Sequence, residues 1–148
     1  MFSSGGSGTA NGWYIDDVSI ETKVVTFNNP EDFELGIGDW SADNGLWEVG
    51  TPTTGPMSAH SGQRVAGTVL DGNYHNNANT RLISPSIALG SLSPGEVIQL
   101  KFWQWYSLSN DNGRVQVSVN GGAWQTISDP VFDGANTNWS QYVADLSV

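Results

Sequence analysis

No stretch of this chain repeats its apolar residues at helical spacing, and Gly, Pro or Asn interrupts it about every eight to twelve residues. Segments that short, closed by turn formers, suit strands of a sandwich or barrel and leave no room for a long amphipathic helix. The sharpest unit is Arg114 to Ile127, RVQVSVNGGAWQTI. Val115, Val117 and Val119 alternate with Gln116 and Ser118, Asn120-Gly121-Gly122 reverses the chain, and Trp124 and Ile127 lie on the return. Asn-Gly provides two successive positive-φ positions, and the turn that matches the twist of a two-stranded ribbon needs both.

Other strands follow from the same reading. Val97 to Leu108, VIQLKFWQWYSL, is apolar on both faces over much of its length, which predicts a central strand. Trp13 to Ile20 and Lys23 to Phe27 are expected as strands joined through Glu21-Thr22, with further strands over Leu46–Val49, Arg64–Val69 and Arg81–Leu89. Gly50–Gly62 and Asp71–Thr80 read as long loops, and Phe2–Gly12 has the composition of a linker.

The chain's 148 residues suit one domain with a real two-layer core. Only 14% are charged, and Gly (18), Ser (17) and Asn (13) fill the surface instead. The formal charge of −10, from 15 acids against 5 bases, repels a phosphate backbone, so no nucleic-acid partner is expected. No Cys is present, which excludes disulfides, thiolate zinc sites and a Cys nucleophile. No run approaches the roughly 18 apolar residues of a membrane span. The first twelve residues, MFSSGGSGTANG, lack the basic start and apolar middle of a signal peptide, so export would be directed by sequence outside this chain.

Several segments together resemble one family. Trp13-Tyr14-Ile15-Asp16-Asp17-Val18 resembles the closing strand of MAM-like and carbohydrate-binding-module-like jelly rolls, and Asp32-Phe33-Glu34 with Trp40 resembles their opening strand. WEVGTPTTGP (47–56), AHSG (59–62), GTVLDGNY (67–74), LISPSIAL (82–89) and LKFWQWY (100–106) resemble the non-catalytic modules of secreted bacterial metallopeptidases of the immune-inhibitor-A type. The resemblance implies an all-β, two-sheet antiparallel jelly-roll sandwich over residues 1–148. It departs in one respect: the closing-type strand comes first here. Residues 1–20 are therefore expected to supply an edge strand, either to their own sandwich or to a neighbour's, giving a monomer or a segment-exchanged dimer.

Asp16 and Glu34 are the candidate site residues. If Val18 and Ile20 face the core, strict alternation puts Asp16 and Tyr14 on that face and Asp17 in solvent. A buried carboxylate needs a cation or strong donors, and bases are few. Calcium accepts carboxylates mixed with backbone carbonyls. The resemblance implies Asp16, Glu34 and carbonyls near Ser61 and Gly62 as its ligands; alternatively both carboxylates cap turns or accept backbone N–H groups. Asp71-Gly72-Asn73 and Asn110-Asp111-Asn112-Gly113 lack the spacing of an EF-hand and read as Asx turns.

Trp103 and Trp105 share one face of the central strand. Exposed, they would form a stacking platform for sugar rings; covered by the loops of residues 50–80, they are core. His60 and Ser61 are adjacent, so an extended backbone points them apart, and no GxSxG, HExxH or P-loop pattern is present. These features predict a non-catalytic, extracellular module, stabilised by Ca²⁺, that contacts carbohydrate or a protein surface. A second reading is a purely structural accessory domain of a secreted protease. A third is a small glycoside-active enzyme on the same scaffold.

Overall fold

The longest strand fixes the architecture. In the computed structural model, which describes residues 2, 3, 5–22 and 30–146, β7 (Ile98–Gly113) runs along the middle of an antiparallel sheet. The remaining strands are β1 (Phe2–Ser3), β2 (Gly12–Thr22), β3 (Ser41–Asp43), β4 (Glu48–Gly50), β5 (Val65–Gly67), β6 (Asn79–Ile83), β8 (Gln116–Val117), β9 (Gln125–Thr126) and β10 (Phe132–Asp145). The described residues contain no helix. The larger sheet has the order β3-β6-β1-β7-β2-β5-β4, with β10 on the other side of β7, and β8 pairs with β9.

β1 and β2 lie end to end along one side of β7. Phe2 and Ser3 pair with Gly113 and Asn112, and Gly12 to Thr22 pair with Ser107 to Ile98. The linker-like start of the chain is thus tied into the sheet, helped by Asn77 donating to the Gly5 carbonyl at 2.8 Å. β2 is not an edge strand as expected: Tyr14 and Ile15 pair with Gly67 and Ala66 of β5 on its far side. The strand expected over Lys23–Phe27, and with it the hairpin through Glu21-Thr22-Lys23, lies outside the described residues.

Two apolar clusters form on opposite faces of the β2–β7 pair. One gathers Trp13, Val18, Phe33, Trp47, Phe102 and Phe132; the other gathers Tyr14, Val65, Leu70 and Trp105. Trp13 and Phe132 place their ring centroids 5.0 Å apart, and Tyr14 meets Trp105 edge-on at 5.3 Å. Apolar residues at both parities of β7 therefore find cover, as its continuous apolar run implies.

The Asn120-Gly121 hairpin forms: both residues take positive φ (53° and 72°), and Gly122 donates to Val119 at 2.9 Å. Its strands are short and stand apart from the main sheet, with Val119 and Trp124 exposed. The Arg81 guanidinium lies 5.3 Å from the centre of the Trp124 ring. Asn110 to Gly113 are not a separate turn but the end of β7. There Asp111 is buried and accepts the Tyr74 hydroxyl at 2.7 Å as well as the Gly5 amide.

Candidate functional site

A β-bulge creates the site. β2 and β7 stay in register from Gly12–Ser107 to Asp16–Trp103, then resume at Ser19–Lys101, so β2 spends an extra residue. Asp17 absorbs it with φ 50°. The bulge inverts the alternation behind it: Val18 joins the cluster containing Trp13, while Asp16 stays on the Tyr14 face. Asp16 is buried as expected, but the face assigned from Val18 and Ile20 is the wrong one.

Asp16 is completely shielded from solvent. Its Oδ1 accepts the Asp17 amide at 3.1 Å, and its Oδ2 accepts the amides of His60 at 3.1 Å and Ser61 at 3.4 Å. Asp17 is half-buried and bonded to the loop, not simply solvated as expected. Its Oδ2 accepts the Ser61 hydroxyl at 2.5 Å and lies 2.9 Å from His60 Nδ1. Glu34 Oε1 accepts the amides of Gln63 and Arg64, both at 2.8 Å. Three carboxylates from two separate segments therefore clasp residues 60–64.

Gly62 makes the tight approach feasible. It sits at φ 63°, and a Cβ there would lie 2.4 Å from Glu34 Oε1. Other residue types are both strained and obstructed at that position.

Electrostatics divide the two candidate ligands. Loss of hydration, reinforced by the neighbouring Asp17 charge, pushes the Asp16 carboxyl up to about 7, despite the opposing pull of its amide donors. Glu34 is held below the usual carboxylate range, chiefly by the Gln63 and Arg64 amides. The amide bonds thus satisfy Glu34 but leave the Asp16 anion under-compensated. Among the described residues, no group of three or more His, Cys, Asp or Glu side chains is placed to hold a metal ion. The hydrogen bonds formed by Asp16 and Glu34 are those of the backbone-acceptor alternative.

The tryptophans are largely covered. Trp105 is buried against Tyr14, and His60 stacks on Trp103 with centroids 3.9 Å apart and planes 14° from parallel. Trp139 of β10 meets the other side of this group, 6.0 Å from His60 and nearly perpendicular to it. Trp103 and Trp105 therefore form no open platform: the carboxylates that clasp the loop also hold its histidine over Trp103. His60 and Ser61 do not point apart as adjacent residues of an extended segment would: the Ser61 hydroxyl and His60 Nδ1 both meet Asp17 Oδ2.

The chain is 37% identical to part of bacillopeptidase F from Bacillus subtilis (strain 168). The match covers 139 residues, 88% of this chain, and spans 9% of the relative's length. No family model matches, and no solved structure matches. The similarity is thus to a small part of a much longer peptidase.

Sequence reasoning singled out Asp16, Glu34, Ser61 and Gly62, and the fold does bring them together. It missed Asp17 and His60 as members of the clasp. Their only signal was the Asp-Asp pair itself, in which one residue had to turn inward.

Proposed function

We propose that this chain is a non-catalytic accessory module of a secreted peptidase, folded as a jelly-roll sandwich of the MAM-like type and stabilised by calcium. The observation that carries the reading is the 37% identity to a stretch making up 9% of bacillopeptidase F, a span too small to be a peptidase of that size. An extracellular location goes with the peptidase reading.

The donor chemistry suits calcium. Asp16 and Glu34 offer carboxylate oxygens, Ser61 and Gly62 carry nearby carbonyls, and hard oxygen donors of this mixture are what the ion takes. Both loop amides on Glu34 go to Oε1, which leaves Oε2 for a cation. A bound ion would supply the positive charge that the buried Asp16 anion lacks in a chain with 5 bases.

A structural role is favoured over sugar binding. A platform on Trp103 and Trp105 would require residues 59–64 to lift away and Trp105 to leave the core. Excising this module from the peptidase that carries it should leave turnover of a short soluble peptide unchanged while shortening the enzyme's thermal half-life. Loss of that turnover from an enzyme that remains folded would overturn the accessory reading.

A further inference from the structure

Among the described strands, β10 is long and pairs with β7 alone. Its ladder with β7 is regular from Ser140–Gln104 to Asp145–Gln99. The Leu146 amide donates to the Ile98 carbonyl at 2.8 Å, which sets the phase of the ladder. In an antiparallel pair, residues that exchange hydrogen bonds alternate with residues that do not. Leu146, Ala144 and Tyr142 therefore direct their backbone groups at β7, and Gln141 and Val143 direct theirs outward.

Sheet edges of this kind are ordinarily blunted by charge, proline or bulges. The first half of β10 is blunted, with register shifts between Asp133 and Ala135 and between Asn136 and Ser140. In the second half, Ser140 to Ala144, ahead of the exposed Asp145, contains no charged residue and no proline, and both Gln141 and Val143 are exposed. The uncharged stretch runs from Gly134 to Ala144 in a chain of net charge −10. Two copies of so acidic a protein repel each other over much of their surface, and along this edge they meet without opposing charges.

We propose that the outer edge of β10 pairs antiparallel with the same edge of a second copy, about a two-fold axis at Tyr142. The phase of the ladder permits this register. Gln141 then faces Val143 of the second copy as a hydrogen-bonded pair, and Tyr142 faces Tyr142 between them. The interface is isologous and closes on itself, so it yields a dimer and not a filament. Its small area makes it weak, below the roughly 1,000 Å² of a stable complex. This goes beyond the accessory role and does not depend on calcium.

Sedimentation equilibrium over a range of concentrations tests it. The weight-average mass should climb toward twice that of one chain, and more steeply at high salt, which screens the repulsion between copies. Val143→Pro removes an amide that points away from β7, so it should abolish association while leaving the melting temperature unchanged. Should that variant unfold, a charge pair provides the second test. Val143→Glu alone should weaken association, and adding Gln141→Lys should restore it, because the two residues face each other across the axis. A wild-type chain that stays monomeric at millimolar concentration overturns the proposal. So does a folded Val143→Pro variant that dimerises like wild type, or a charge pair that restores nothing.

Discussion

Asp16 carries the largest electrostatic consequence of any single residue described here. Its folded-state pKa, about 7, lies above the roughly 3.9 of an unfolded aspartate. The folded state therefore holds the proton more tightly, and the stabilising contribution is complete below about pH 4. It is lost as pH rises through about 7. In chelator-treated protein, the free energy of unfolding should fall across that window, and Asp16→Asn should remove most of the slope. A wild-type profile as flat as the variant's would show that burial does not strain this carboxylate. Gly62 makes a second test at the same scale. Gly62→Ala should destabilise by about 1–3 kcal/mol in urea unfolding, from strained backbone and a clash with Glu34. Asp16 could be picked out from its place in an alternating strand of a chain with few bases, whereas Glu34 came from the resemblance to MAM-like modules. The roles of Asp17 and His60 could not, because they depend on a bulge whose position no local pattern specifies.

At the scale of strands, β7 and the Asn120-Gly121 hairpin announce themselves through apolar content and turn chemistry. β10 does not. Its first half, FDGANTN, contains Gly134, Asn136 and Asn138 and is mostly exposed, so the segment does not read as one strand although burial alternates from Ser140 to Asp145. Pairing with β7 makes it a strand, and the two register shifts absorb the segment around its turn formers. β2 was visible as a strand but not as an interior one, because its neighbour β5 is contributed by residues far along the chain. Two predictions follow from these placements. Deleting residues 1–22 strips β7 of its partners along one side and should abolish cooperative melting; a truncated chain that melts as before would contradict the pairing. Trp105→Ala should cost about 3–5 kcal/mol, as for a large core ring, with no change in retention on polysaccharide. Loss of retention at unchanged stability would restore the platform reading.

The whole molecule is an all-β scaffold in which one loop, residues 60–64, is held by carboxylates from β2 and from Glu34. That clasp covers Trp103, packs beside Trp139, and gathers three carboxylates in a chain with 5 bases. We propose that calcium completes it. Protein unfolded in chelator and refolded without metal should be melted alone, with Ca²⁺ and with Mg²⁺, which demands a stricter octahedral shell. At a hundredfold excess over Kd, native-state binding contributes about 2.7 kcal/mol. For a domain of this size that raises Tm by roughly 5–10 °C. The account predicts that rise with Ca²⁺, little with Mg²⁺, and none in Glu34→Gln. Identical melting curves under all three conditions would contradict it.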